Sequence, residues 1–167
     1  LMADVIGKLT KTTSKDNSSK TTTKAATYEA IADTMEFDIS DDAIAFINDN
    51  PQFFPGNSSN TGAISDHIDF SMDYAHVAKY SDRLMCIFGE VVDCQELEES
   101  GKTLTYVQIE DYSGYDYCVY YLGELPNVFE GNDVTVTFLP FDVITFENIG
   151  GYYTKAIVGA ACYVNYA

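Results

Sequence analysis

The sequence has no tryptophan, two histidines and few positive charges. It has no run of 18 apolar residues, so it holds no complete membrane-spanning helix. Its four cysteines, at 86, 94, 118 and 162, form no CxxC pair, and no zinc ribbon is encoded. There is no GxSxG elbow, no phosphate-binding P-loop and no dinucleotide GxGxxG. His67 and His76 stand near Asp66, Asp69 and Asp73, but nothing makes three or four ligands converge, and no metal is expected. "DYSGYD", residues 111 to 116, lacks the spacing of a calcium loop and reads as a hairpin turn. The acidic groups Glu96, Glu98 and Glu99, or Glu110 and Asp111, read as solvated charge rather than catalytic pairs. No catalytic residue and no cofactor is expected, and the protein is not read as an enzyme.

The scarcity of positive charge is uneven. Nine basic residues face 26 acidic ones, and Lys8, Lys11, Lys15, Lys20 and Lys24 hold five of the nine. From Tyr28 onward only Lys79, Arg83, Lys102 and Lys155 remain, and the net charge there is about −20. Such a field repels phosphate backbones, which are bound mostly through Lys and Arg. The expectation is therefore no nucleic-acid partner, and instead a basic or neutral one.

What is present divides the chain into three. Residues 1–27 are rich in Thr, Ser and Lys, cannot bury a core, and read as a disordered, flexible tether. Residues 28–65 form a helical extension and loop. Ser40 is a helix N-cap, Asp41 and Asp42 suit the positive end of that helix, and Ala43, Ile44, Phe46 and Ile47 make its apolar face. Pro51 ends it. Residues 66–167 form the main domain, opened by a second short helix over 69–82.

From Arg83 the pattern becomes that of strands, expected at about 83–93, 103–112, 116–122, 133–146 and 152–165. In the second, Thr105, Val107 and Ile109 alternate with Leu104, Tyr106 and Gln108. Pro140 marks a bend or an edge. Gly89 and Gly159 fall where a small barrel must coil tightly. The fold class is mainly β: a five-stranded OB-fold Greek-key barrel with short N-terminal helices. An open meander or a two-sheet sandwich is the rival. In an OB barrel the third and fifth strands are neighbours, so Cys118 and Cys162 either approach as a disulfide or stay reduced.

"Tyr-x3-Ala-x-Tyr" over 74–80, followed by "RLMCIFGEVVD", resembles the opening of tRNA-anti-like OB domains. "YCVYYLGELPNVFEGNDVTVTFLP" and "ENIGGYYTKAIVGAACYV" are similar to segments of lipoproteins and membrane-anchored proteins of Gram-positive bacteria. The resemblance covers about residues 39–166. It implies an OB fold and an extracytoplasmic setting, secreted or held at the membrane by an anchor upstream of Leu1. It brings no ligand with it.

Six of 13 tyrosines fall between 106 and 121, on the second and third strands and their hairpin. OB barrels usually present that face to a ligand. Tyr106, Tyr115, Tyr117 and Tyr120 are the candidate ligand-binding residues. Tyr106 is expected outward and Tyr115 at the hairpin tip. If Val119 points inward, Tyr117 and Tyr121 follow it and Tyr120 faces out; if Cys118 and Leu122 point inward, the assignment reverses. The function expected is a non-catalytic extracytoplasmic binding module for a peptide, a glycan or a protein partner. The alternatives are a single-stranded nucleic-acid-binding OB domain and, behind it, a hydrolase with an acidic cleft.

Overall fold

The computed structural model describes residues 23–61, 70–148 and 150–166. The chain is already helical before residue 28. Helix α1 runs Lys24–Met35. The Thr23 hydroxyl caps it by accepting from the Ala26 amide at 3.1 Å, and left-handed Glu36 (φ 61°) stops it. Ala25, Tyr28, Ile31 and Ala32 recur at helical spacing and are all buried. A domain boundary at residue 27 cuts this packed helix; packing starts at Lys24.

Helix α2, Asp41–Asp49, begins as its sequence dictates. Ser40 Oγ accepts from the Ala43 amide at 3.2 Å, with Asp41 and Asp42 in the first turn. Ala43 and Ile47 are buried, and Ile44 and Phe46 pack beside them. Pro51 opens a short 3-10 turn, Pro51–Phe53. Helices α3 (Ser58–Thr61) and α4 (Phe70–Tyr80) follow, the second kinked at His76.

Strands β1 (Met85–Glu99), β2 (Lys102–Asp111), β3 (Asp116–Leu122), β4 (Asp133–Glu147) and β5 (Tyr153–Tyr166) close a barrel in the order β1-β2-β3-β5-β4. Every neighbouring pair is antiparallel except β3 with β5, which is parallel. This Greek-key closure is the OB fold, and it disposes of the meander and the sandwich. The acidic run "CQELEE" is strand rather than loop. It pairs residue by residue with β2 as far as Glu99–Lys102, and Ser100 and Gly101, both at positive φ, make a two-residue turn.

Coiling is built in where small residues allow it. A Cβ on Gly89 would strike the carbonyl oxygen of Glu110, and one on Gly159 that of Leu139. Pro140 sits at a register shift in β4 opposite Gly159, which leaves Phe141 out of the ladder.

The barrel carries two cores. Inside it lie Val91, Val107, Ile109, Tyr117, Val119, Val136, Phe138 and Ile157. Outside, α1 and α2 cover β3, β4 and β5 in a second core of Tyr28, Ile31, Phe54, Tyr106, Tyr120, Phe141 and Ala160. The sheet between them is therefore buried on both faces, and Ala156 to Cys162 of β5 form an unbroken buried run. Cys118 and Cys162 are both buried and both free; Cys86 and Cys94, half-buried, are free too.

Candidate functional site

The β2–β3 tyrosines do not form an open platform. Val119 points into the barrel with Tyr117, so Tyr120 faces outward with Tyr106. Tyr106 and Tyr120 are nevertheless only 5% and 3% exposed, because the helices lie over them. Their rings are 5.3 Å apart, and the Tyr106 hydroxyl donates to Cys118 Sγ at 3.1 Å. Tyr28 of α1 donates its hydroxyl to the Tyr120 carbonyl at 3.3 Å. Phe37, in the α1–α2 connection, stacks on Tyr120 (6.0 Å, 28°) and on Phe141 (6.1 Å, 19°).

Burial holds the Tyr106 and Tyr120 hydroxyls well above the ordinary phenol range and pushes the Cys118 thiol up to about 12. The Cys162 thiol moves the same way by burial. These groups stay neutral, and neither thiol is a nucleophile. Tyr117 is an inward core ring whose hydroxyl donates to Asp111 Oδ2 at 3.2 Å. Tyr115 alone of the four candidates reaches solvent, at 36% exposure on the hairpin. Period-two alternation shows which side of a sheet a ring takes. It cannot show that a second layer covers that side, and for this reason the outward Tyr106 is not an exposed one.

Exposed rings gather elsewhere. At one end of the barrel Phe88 and Tyr112 pair at 5.5 Å, and the Tyr112 hydroxyl donates to Asp133. That bond, with Glu90 close by, raises the Tyr112 pKa. This end carries carboxylates, including Asp116. Burial lifts the Asp116 pKa, the Gln108 amide donating at 3.0 Å opposes the shift, and Glu110 and Asp111 add to it.

The β4–β5 turn offers a different chemistry. Asn148 Oδ1 accepts from the amides of Gly150 and Tyr152, and Gly151 takes positive φ. That turn presents Tyr152 and Tyr153 at 75% and 77% exposure. Two residues past Tyr153, on the same face of β5, Lys155 places its ammonium 5.2 Å from the Tyr74 ring of α4. Lys79 in the last turn of α4, and Arg83 just past its end, stand 5.9 Å and 5.6 Å from the Tyr80 ring. Arg83 also pairs with Asp82 at 3.1 Å. Three of the five cations among the described residues thus lie on α4, just past its end and at the start of β5, interleaved with tyrosines. A summed charge hides this, because it records how many charges there are and not where they sit. The signal in the sequence was "YYTK", 152 to 155: two aromatics beside a cation in a turn that OB barrels use for binding.

Among the described residues no three His, Cys, Asp or Glu side chains group to hold a metal ion. His67, with Asp66 and Asp69, lies outside the described residues.

No protein-family model matches the sequence, and no curated protein matches it. Among solved structures, the chain is similar to the mitochondrial single-stranded DNA binding protein Rim1 of S. cerevisiae. That likeness has 17% identity and a TM-score of 0.35, and covers 50% of this chain and 90% of the other. It is also similar to the second OB-fold domain of replication protein A from Methanococcus maripaludis, with 14% identity, a TM-score of 0.32, and coverage of 49% and 81%. The expectation of an extracytoplasmic module for peptide, protein or glycan that excludes nucleic acid finds no such protein among these neighbours and is withdrawn. No family model supports the lipoprotein resemblance.

Proposed function

We propose that the protein is a non-catalytic, single-stranded nucleic-acid-binding OB domain, related in fold to the tRNA-anti-like group. The observation that supports this is the alternation of rings and cations from the β4–β5 turn and the start of β5 to α4 and the residues just past it: Tyr152, Tyr153, Lys155, Tyr74, Lys79 and Arg83. Single-strand binding needs two things, π-faces on which bases stack and cations that follow the backbone. Tyrosine stacks on any base, so such a site is tolerant of sequence. The surrounding acidity keeps the interaction weak and steeply dependent on salt.

The test is an anisotropy titration of labelled oligo-dT at several salt concentrations. With three cations engaged, log K should fall against log salt with a slope of about −2. Tyr152→Ala with Tyr153→Ala should weaken binding about tenfold or more, the loss expected for removing stacked bases. Lys155→Ala should flatten the slope. Absence of binding at 50 mM salt, or a double tyrosine variant that binds like wild type, would refute the proposal.

A further inference from the structure

The β2–β3 side of the barrel, where OB folds usually take ligand, is already filled, and its filling is aromatic. Phe37 stacks on both Tyr120 and Phe141, at 28° and 19° to their planes, and Tyr106 packs against Tyr120. A flat ring stacked on two others is the arrangement a base would adopt on such a face. We propose that Phe37 is a plug occupying a latent base-stacking slot formed by Tyr106, Tyr120 and Phe141, and that a bound single strand can take its place. The proposal extends the binding function above to a second place on the same barrel.

The plug differs from the rest of the helical layer in how it is held. Tyr28 and Ile31 of α1 are fully buried, and Ala43 and Ile47 of α2 are equally enclosed. Phe37 sits between the two helices, on a connection rather than on either. It follows Glu36, a non-glycine residue in the left-handed region, which costs conformational energy that release would recover. Three backbone N–H groups fasten the segment: those of Glu36 and Phe37 donate to the Ala32 carbonyl, the second at 3.1 Å, and that of Asp38 donates to Asp142 Oδ2 at 2.9 Å. The last of these bonds is exposed to solvent. Residues 36 to 38 can therefore swing out while α1, α2 and the core-packed Ile39 stay docked, which is a local opening and not unfolding. The slot itself has no charge: the tyrosine hydroxyls remain neutral, and Cys118 already accepts from one of them.

Two measurements on the full chain test this. In the first, Phe37→Ala is titrated with the same labelled oligo-dT. The expected result is a gain of about tenfold in affinity, what one added stacked base supplies. The gain should persist when Tyr152 and Tyr153 are also replaced by alanine. Unchanged or weaker binding by a folded Phe37→Ala protein overturns the plug. In the second, hydrogen exchange at the Phe37 and Asp38 amides of the wild-type protein is followed with and without saturating oligo-dT. Faster exchange on binding is expected, while α1 amides stay protected. Unchanged or slower exchange overturns the proposal even if the alanine variant fails to fold. Wild-type binding that survives replacement of Tyr152 and Tyr153, together with a gain in Phe37→Ala, would sink the β4–β5 site and leave the plug standing. The reverse pattern would sink the plug alone.

Discussion

Ile31→Ala tests whether the helical layer and the barrel are one cooperative body. Ile31 is fully buried on α1, against the outer face of the sheet. The substitution removes three carbons, about 0.8 kcal/mol each, or roughly 2.5 kcal/mol of lost burial. If the space does not collapse, the void adds about 1–2 kcal/mol. A total near 4 kcal/mol lies at the high end for a single substitution. For a chain of this size it should lower Tm by about 8–16 °C. The assay is thermal and urea unfolding followed by circular dichroism in the β region, with Ile109→Ala inside the barrel as the companion. If the two cores share the sheet between them, both variants should shift the same single transition by similar amounts, with an unchanged urea slope. An Ile31→Ala protein whose β-sheet signal melts at the wild-type temperature, with helical signal lost separately, would refute the reasoning. It would mean that the barrel stands without its cover.

Two further outcomes follow from the geometry. Gly159→Ala should cost about 3 kcal/mol in urea unfolding, because the new Cβ meets the Leu139 backbone carbonyl, which cannot rotate away; a neutral result would mean that β4 and β5 separate freely at the bulge. Asp116→Asn should stabilise at neutral pH by about 0.5–1 kcal/mol, since Asp116 faces Glu110 directly across the β2–β3 ladder. The Asp116 pKa is raised in the folded state, so its charged form costs stability above that pKa, and the cost fades as pH falls through it. The advantage of the asparagine should accordingly shrink in urea titrations between pH 7 and pH 4, and an advantage that grows as pH falls would show the sign to be wrong.

The strands were legible because their signals are local. Alternation at Thr105, Val107 and Ile109 fixed which side of β2 entered the barrel, and Ser40 with Asp41 and Asp42 fixed where α2 begins. Gly89 and Gly159 betrayed the close approaches of the coiled strands. Helix α1 was hidden by its neighbourhood, a Thr/Ser/Lys stretch, although Ala25, Tyr28, Ala32 and Met35 keep helical spacing. The acidic end of β1 looked like loop because charge was weighed above the buried Leu97 within it. For the candidate site the difficulty was of another kind. Tyr106 and Tyr120 are placed on the outer face by periodicity, but their cover comes from Tyr28 and Phe37, far away in the chain. No pattern within one segment carries that information.

The double-sided sheet also bears on how the chain must be made. Helix α1 leaves the ribosome early, yet the surface it covers is completed by β4 and β5, the last strands. The bond from Asp38 to Asp142 joins residues 104 apart, so its two ends emerge about 5–20 s from one another at ordinary rates of synthesis. Throughout that interval Tyr28, Ile31 and Phe37 have no finished sheet to cover. Nascent chains of this protein should be good clients for holding chaperones, and refolding in vitro should be slow and sensitive to concentration, as loops this long must close before either core exists.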